Sequence, residues 1–377
     1  MSDIEFPVNL PSVSEDDILS VAGCLKSTWI SGESPIIGDF ENNFAQLVNV
    51  KHAIAVSNGS TALELAFAAL DLPKGSEVIL PSLTIISCLA PLLRMGLKPI
   101  FVDSDLQDWN MLVDETISKI TNKTKVILVV HTYGLAAQLV KLIEVCKEKN
   151  IVLIEDCAEA LGVEHNGQAC GSIGDIATFS FYSNKLITTG EGGMCTTNSD
   201  LLAARLRKLR NLGFEPDIRF KHLDLGYNFR MSGMQAALGI SQLKSLKVNL
   251  EIKKNIAKRY IENLKGIKDL TWQPLENQVS KNAYWVFGLV NQKTGISALQ
   301  IQNALSLRGV ASRPFFYPLH MQPLLKNFDV DGNQKAPNAE FLWQNGFYLP
   351  SGNGYKLEQI DEISARVLET FVELGLA

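Results

Sequence analysis

The feature that most constrains the fold is a regular alternation, between residues 53 and 197, of short apolar runs with helical patterns. Most of these runs have a continuous apolar stretch rather than alternating apolar and polar residues, which is typical of strands covered on both faces. The alternation therefore predicts an α/β fold with a seven-stranded, mostly parallel sheet. The runs are AIAVS (53–57), EVILP (77–81), KPIFVD (98–103), KVILVVH (125–131), IVLIED (151–156), IATFSF (176–181) and GMCTT (193–197).

The rest of the pattern predicts helices and a second, smaller domain. From about residue 280 the chain reads as a smaller α+β unit. We therefore expect a large domain with the N-terminal segment (1–245) and a small C-terminal domain (246–377). Helical patterns fall at 60–72, 88–96, 137–150, 200–213, 231–266, 296–309 and 357–375, with a strand-like run at 283–290 and a Pro/aromatic stretch at 312–323.

Composition excludes several classes of function. A net charge of −5 leaves no excess of basic residues to neutralise a nucleic acid. No apolar run approaches the roughly 18 residues that span a bilayer, and the chain starts without the basic and apolar regions of a signal peptide. The six cysteines are scattered singly, without the pairs of a metal cluster. We expect a cytoplasmic protein with no metal, nucleic-acid or membrane partner.

A phosphate cradle is predicted in VSNGSTALELAF (56–67), where a strand turns into a helix. Backbone N–H groups and the positive end of the helix dipole converge there, beside the hydroxyls of Ser60 and Thr61. The alternative is that Ser60 only caps the helix. The stretch lacks the lysine of a nucleotide P-loop, so it suits a cofactor phosphate better than ATP.

Two further stretches place charged groups at strand ends. In IVLIEDCAEALG (151–162), Asp156 is either a helix cap or the partner of a cation in a partly dry cleft, which Glu159 also faces. In FYSNKLITTGEGG (181–193), Lys185 lies among small residues that let a planar ligand approach the backbone. Cradle, acid and lysine together are what pyridoxal phosphate requires: a Schiff-base amine, a partner for the pyridine nitrogen and a phosphate site.

These residues carry a resemblance to a known family over nearly the whole chain. The sequence resembles the DegT/DnrJ/EryC1/StrS sugar aminotransferases, which are fold-type I pyridoxal-phosphate enzymes. The resemblance implies a homodimer with two shared active sites. The matching stretches are STWISGESPIIGDFENNFAQ, SNGSTALELA, PSLTIIS, VVHTYG, IEDCAEALG, GDIATFSFYSNKLITTGEGGM, LGYNFRMSGMQAALG and SRPFFYPLH.

The resemblance also implies roles for individual residues. Lys185 matches the Schiff-base lysine and general acid/base, Asp156 the partner of the pyridine nitrogen, and Glu159 the neighbour of the phenolic oxygen. Asn228 matches an asparagine that reaches the phosphate from the other subunit. Phosphate contacts are implied for Gly59, Ser60, Thr61 and Ser180, and contacts in the nucleotide-sugar cleft for Arg230, Arg313, Tyr317 and His320. For these last four, interface salt bridges (the arginines) and packing (Tyr317, His320) are the alternatives.

Two positions depart from the family pattern. Ile85 stands where an aromatic side chain often stacks on the cofactor ring, so an aliphatic side chain would cover that face. Gln138 stands where an aspartate is expected after HTYG.

The implied activity is transfer of the amino group of L-glutamate to the 4-keto carbon of a nucleotide-linked 4-keto-6-deoxy sugar. EDCAEALG, NKLITTGEGGM and SRPFFYPLH are most like enzymes that act on a GDP-linked sugar. A UDP- or dTDP-linked sugar, or reaction at C3, stays open. A sugar 3-dehydratase goes with histidine in place of Lys185, and a non-catalytic regulator would need an attached DNA-binding segment. The end product, such as O-antigen, capsule or antibiotic, is also open.

Overall fold

The structure, a computed structural model, describes residues 4–215, 218 and 220–376. The helices are α1 (Glu15–Ser27), α2 (Pro35–Val48), α3 (Gly59–Leu70), α4 (Ala90–Met95), α5 (Val113–Ser118), α6 (Val140–Lys149), α7 (Asp200–Arg210), α8 (Gly233–Leu264), α9 (Ala298–Leu307), α10 (Pro337–Asn345) and α11 (Leu357–Glu373). The strands are β1 (His52–Val56), β2 (Glu77–Pro81), β3 (Lys98–Val102), β4 (Thr124–Val130), β5 (Val152–Asp156), β6 (Glu164–His165), β7 (Gln168–Ala169), β8 (Ile176–Ser180), β9 (Gly193–Thr197), β10 (Leu270–Thr271), β11 (Phe287–Asn291), β12 (Arg313–Pro314) and β13 (Gly346–Leu349).

The seven predicted apolar runs form one sheet with the order β1-β9-β8-β5-β4-β2-β3. Strands β3, β2, β4, β5 and β8 are parallel, whereas β9 pairs antiparallel with both β8 and β1. The predicted seven-stranded, mostly parallel sheet is therefore confirmed. In such a sheet ligands bind beyond the carboxyl ends of the parallel strands, and here Asp156 and Ser180 end two neighbouring strands.

Helices on both faces account for the continuously apolar central strands. In β4, Val126 and Leu128 pack in the core cluster that includes Phe67 of α3. The alternate residues Ile127 and Val129 pack in a different cluster with Leu142 of α6. Successive strand side chains point to opposite faces, so each face of the sheet buries apolar side chains.

The second core lies around the antiparallel sheet β10-β11-β13-β12. We call this sheet together with α9, α10 and α11 the second lobe. Helix α8 has 32 residues, so it is about 48 Å long. Its first half contributes Ala236 to the core beside the large sheet, and its second half contributes Tyr260, which stacks on Phe287 at 4.8 Å. The predicted smaller α+β region is confirmed.

The N-terminal segment, residues 5–12, runs along the second lobe. Phe6 donates to Gly309 O at 2.9 Å and accepts from Ala311 N at 3.0 Å. The hydroxyl of Tyr355 donates to Pro7 O. Among the described residues, no helix combines the length and the apolar character needed to cross a membrane.

The strand prediction for 283–290 is partly wrong, because β11 begins only at Phe287. Ala283 N donates to Gly134 O at 2.9 Å and Trp285 N to Tyr133 O at 3.1 Å. Tyr284, between them, has φ of +51°. Residues 283–286 therefore pair with the turn after β4 rather than continuing the strand.

Candidate active site

Lys185 lies in the loop of residues 181–192 between β8 and β9, which we call the lysine loop. The side chain is half-buried, and Nζ lies 3.8 Å from the centroid of the Trp285 ring. Burial lowers the pKa of Lys185, and the carboxylates of Glu159 and Asp156 partly oppose this effect. The amine is therefore easier to deprotonate than an exposed lysine.

Asp156 ends β5 and is only 3% exposed. One carboxylate oxygen accepts from Ala158 N at 3.0 Å, and the other accepts from the Cys88 thiol at 3.3 Å. Burial raises the pKa of Asp156, whereas Ala158 N, Cys88 and Lys185 lower it. A thiol is a weak donor, so this buried carboxyl suits a stronger one, such as the protonated nitrogen of a pyridine ring.

Glu159 lies beside the same cleft and is buried. Its Oε2 accepts from Tyr133 N at 2.7 Å. Burial raises the pKa of Glu159 to about 7, with the positive charge of Lys185 acting in the opposite direction. Protonation of Glu159 near neutral pH is therefore easier than for an exposed glutamate, so the group can either donate or accept a proton.

Glu155, next to Asp156 on β5, serves a structural purpose on the opposite face. His131 Nδ1 accepts from Ala137 N at 3.1 Å, so its Nε2–H donates to Glu155 at 3.1 Å. Together with Cys157 these groups lie within 4.8 Å of one another, but the imidazole nitrogens and the carboxylate already have hydrogen-bond partners. The carboxylate also accepts from the backbone N–H groups of Gly171, Ile173 and Gly174.

The predicted cradle lies at the start of α3. The N-cap is Asn58, whose Oδ1 accepts from Thr61 N at 2.8 Å while Thr61 Oγ1 accepts from Asn58 N at 3.2 Å. Ser60 is therefore not the cap, and its hydroxyl lies 2.7 Å from the hydroxyl of Ser87. The amide and hydroxyl of Thr61 are committed to the cap, so the first N–H groups of the helix and Ser60 are the donors suited to an anion.

Gly59 lets Ser180 approach the start of α3. A Cβ atom at residue 59 would lie 2.8 Å from Ser180 Cβ and 3.1 Å from its hydroxyl oxygen. The glycine therefore lets the end of β8 pack closely against the first helical residue, which brings the hydroxyl of Ser180 next to the start of α3. Hydroxyl and N–H donors at a helix N-terminus are suited to a phosphate.

Asn228 and Arg230 lie on a segment beside β1. Ser57 N donates to Phe229 O at 2.9 Å, which brings this segment next to the turn that precedes α3. Asn228 is exposed, and its Oδ1 accepts from Arg230 Nε at 3.0 Å.

The other predicted substrate residues lie in or near the second lobe. Arg313 is exposed on β12, opposite Tyr348 of β13. Burial raises the pKa of Tyr348 to about 12, and both Arg313 and Glu159 act electrostatically on it, so Arg313 is within electrostatic reach of the cleft. Tyr317 packs edge-on against Trp343 at 4.7 Å.

His320 joins the large sheet to the second lobe. Its Nδ1 lies 2.7 Å from the Ser82 hydroxyl and its Nε2 lies 3.1 Å from Glu340. Both ring nitrogens are therefore occupied by protein groups.

The two departures from the family pattern lie in different places. Ile85 is exposed and directly precedes the 3₁₀ turn Ile86–Cys88, which carries the thiol partner of Asp156. Its aliphatic side chain is therefore available to cover a ligand face. Gln138 lines a surface groove with Asp105 and Lys141.

Sequence reasoning missed four residues that complete the site. Trp285 contacts Lys185, and the backbone N–H of Tyr133 donates to Glu159. The hydroxyl of Ser87 contacts that of Ser60, and the thiol of Cys88 donates to Asp156. Ser87 and Cys88 follow a predicted strand end, so their position is a signal that could have been used. Trp285 has no such signal, because AYWVFGLV also reads as an ordinary buried strand.

Comparison with known proteins assigns the family. The DegT/DnrJ/EryC1/StrS aminotransferase family matches residues 11–368. The chain belongs to this family. The predicted resemblance and the predicted aminotransferase class are thereby confirmed.

One relative and two solved structures are similar to this chain over nearly their full length. The chain is 39% identical over 365 residues to a GDP-perosamine synthase of Escherichia coli O157:H7, covering 97% of this chain and 98% of the relative. Two solved structures are also similar to this chain. One is a mutant of GDP-4-keto-6-deoxymannose-3-dehydratase (ColD) with bound GDP-perosamine. The other is a GDP-4-keto-6-deoxymannose-3-dehydratase with a trapped PLP-glutamate geminal diamine. They superpose with TM-scores of 0.89 and 0.88, each at 26% identity, covering 96% of this chain and 100% of that structure.

Proposed function

We propose that this protein is a pyridoxal-phosphate-dependent aminotransferase that moves the amino group of L-glutamate to the 4-keto carbon of GDP-4-keto-6-deoxymannose, forming GDP-perosamine. The observation that carries the proposal is the placement of Lys185 against the Trp285 ring and within electrostatic range of the two buried carboxyl groups of Glu159 and Asp156. The similarity to GDP-perosamine synthase and to a structure with bound GDP-perosamine supports the sugar and the nucleotide.

The residues of the cleft fit each part of pyridoxal phosphate. When bound, the cofactor supplies an aldehyde that condenses with an amine and a ring that withdraws electrons from the substrate carbon. Asp156 would hold the proton of the ring nitrogen, Glu159 would neighbour the phenolic oxygen, and Ile85 would cover a ring face. The phosphate would be held by the first N–H groups of α3, at Gly59 and Ser60, together with the hydroxyls of Ser60 and Ser180. Thr61, whose amide and hydroxyl form the cap, would keep the start of α3 in place.

Lys185 acts first as the covalent attachment point and then as the acid and base. With the cofactor bound, Nζ would take a proton from the α-carbon of glutamate and deliver it to the carbon that carried the cofactor's aldehyde. Its lowered pKa makes the neutral amine accessible for this transfer. The keto sugar then enters the same cleft, where Arg230 and Arg313 bind either the carboxylate of glutamate or the pyrophosphate of the sugar nucleotide, with Tyr317 and His320 at the edge.

We also infer a homodimer with shared active sites, in which Asn228 reaches the phosphate of the other subunit. In support, Asn228 is exposed and follows an apolar surface in which Leu223 and Leu225 are 72% and 95% exposed. The six cysteines are all unpaired and buried, which supports a reducing, cytoplasmic location. We propose residues 1–245 and 246–377 as the two domains, with α8 crossing the boundary.

A sugar 3-dehydratase is the second candidate, because the superposed structures are of such an enzyme. Lys185 argues against it, since that activity goes with histidine at this position in the family. Product analysis separates the two: the transaminase product gains nitrogen, whereas the dehydratase product loses the 3-hydroxyl group.

Absorbance and mass spectrometry test the proposal. Purified protein with pyridoxal phosphate should absorb at the edge of the visible range, bleach when glutamate is added, and lose both properties in Lys185→Ala. Products should then be analysed after incubation with glutamate and GDP-, UDP- or dTDP-linked 4-keto-6-deoxy sugars. A colourless wild-type protein contradicts the cofactor assignment, whereas turnover of only a UDP or dTDP sugar contradicts the GDP assignment alone.

A further inference from the structure

The backbone carbonyl groups on both sides of Lys185 accept hydrogen bonds from side chains that are distant in sequence. Asn184 O accepts from Trp285 Nε1 at 2.8 Å. Leu186 O accepts from two amides, Asn249 Nδ2 at 2.8 Å and Asn353 Nδ2 at 3.1 Å. Ser183 O accepts from Asn9 Nδ2 at 2.8 Å. We call these four donors, Asn9, Trp285, Asn249 and Asn353, the carbonyl clamp.

None of the four donors belongs to the seven-stranded sheet. Asn9 comes from the N-terminal segment, Trp285 from the stretch before β11, Asn249 from α8 and Asn353 from the turn before α11. The loop that carries Lys185 is therefore attached to the sheet by its two ends and to the rest of the molecule by its carbonyl groups. The position and direction of the Lys185 side chain therefore depend on the sheet and on the hydrogen bonds to these carbonyl groups.

One side of helix α8 faces the lysine loop and contacts it through three polar side chains. Gln235, Gln242 and Asn249 are spaced by seven residues, or about two helical turns, so they face the same side. Gln235 Nε2 donates to Glu191 O at 2.5 Å, and Gln242 Oε1 accepts from Thr188 N at 3.3 Å. Asn249 donates to Leu186 O. Three side chains of α8 thus bind backbone groups of residues 186, 188 and 191 in the lysine loop.

Asn249 and Asn353 make the tightest point of this arrangement. Asn249 is buried in α8, where a polar side chain is costly unless it is hydrogen-bonded. Asn353 Oδ1 is buried without a hydrogen-bond partner among the described residues, so its side chain is held through Nδ2. Two amides converging on one carbonyl fix the residue that directly follows Lys185.

We propose that Asn249 and Asn353 are positioning residues that, through Leu186 O, hold Lys185 at the reacting carbon of the cofactor. This rests on the proposed function, because it assigns a purpose to the geometry around the cofactor lysine. The amine of Lys185 condenses with the aldehyde of pyridoxal phosphate and releases one water molecule. The clamp aligns Nζ for this step and for the proton transfers that follow.

The test compares Asn249→Leu and Asn353→Ala, singly and together, with Tyr260→Phe. Tyr260 lies on the same helix and donates its hydroxyl to Pro350 O at 2.8 Å, outside the lysine loop. Tyr260→Phe thus deletes one buried hydrogen bond to a carbonyl and keeps the ring that stacks on Phe287. The free energy of unfolding in urea is measured for every variant, so that their losses of stability can be compared.

The informative readouts are the rate at which the visible absorption band appears when apoprotein is mixed with pyridoxal phosphate, and the circular dichroism of that band. We expect Asn249→Leu to slow band formation about tenfold and to weaken the dichroism, because one aligned hydrogen bond is lost. In the loaded enzyme, kcat should fall by a similar factor while KM for glutamate stays within about twofold. Tyr260→Phe should match the wild type in the rate of band formation, the dichroism, kcat and KM.

The outcomes separate the clamp from the cofactor assignment. If the wild type forms the band and both clamp variants behave as Tyr260→Phe does, the clamp proposal is overturned and the proposed function stands. If the wild type forms no band, both fall. Should Asn249→Leu fail to fold, Asn353→Ala, at a half-buried turn position, decides the question with the same measurements.

Discussion

The raised pKa of Glu159 makes the stability of the cofactor-free protein depend on pH. In the folded protein this pKa is about 7, compared with an ordinary value of 4.5. Between these two values the folded protein binds a proton that the unfolded chain does not bind, so stability falls as pH rises through this interval. At about 1.4 kcal/mol for each pH unit, the loss is about 3 kcal/mol.

Glu159→Gln should remove this dependence, because glutamine stays neutral at every pH and can still accept from Tyr133 N. The measured quantity is the free energy of unfolding of variant and wild-type apoprotein in urea, at equal protein concentration, at pH 4.5 and at pH 8. We expect the variant to gain about 3 kcal/mol relative to the wild type between the lower and the higher pH. Any constant cost of the substitution cancels in this difference. A stability difference that is the same at both pH values would refute the raised pKa and its origin in burial.

Two further predictions follow from contacts at the cradle and at Glu41, a buried carboxylate of α2 that pairs with two arginines of α7. Gly59→Ala should lower the affinity for pyridoxal phosphate about tenfold, because the new methyl group would lie 2.8 Å from Ser180 Cβ; titration with pyridoxal, which lacks the phosphate, should show a smaller change, and equal losses would contradict the cradle. Glu41→Gln should lower the free energy of unfolding by about 2 kcal/mol, because Glu41 accepts from Arg207 at 2.6 Å and Arg210 at 2.5 Å. Urea unfolding measures the loss, and an unchanged midpoint would contradict it.

The central sheet could be predicted because its strands are buried on both faces. A continuous apolar run as short as 126–130, bounded by Lys125 and His131, is typical of such a strand, and parallel pairing brings strand ends to one edge. Asp156 could therefore be expected in a cleft from its place at the end of β5. The partners of Glu155 needed the structure, since His131 and the N–H groups of residues 171–174 are distant from it in sequence.

The lysine loop could be recognised, but its supports could not. Asn249 bonds a carbonyl 63 residues away and Asn9 one 174 residues away, and such contacts leave no local pattern. Helix α1 was also not predicted: Ile18 and Leu19 are exposed, so its apolar residues do not mark one buried stripe. The pattern at 283–286 predicts a strand wrongly because apolar aromatic residues suit both a sheet and an aromatic cluster.

The path of residues 5–12 along the second lobe has a consequence for how the molecule is completed during synthesis. Residues 5–12 are synthesised long before their partners near residues 309 and 355, so they can be held in place beside Ser183 only after those partners have left the ribosome. Contacts of such large sequence separation form late. The large sheet can assemble early from strands that are close in sequence, whereas a nascent chain should acquire the ability to bind the coenzyme only after Asn353, which contacts Leu186 O, has emerged.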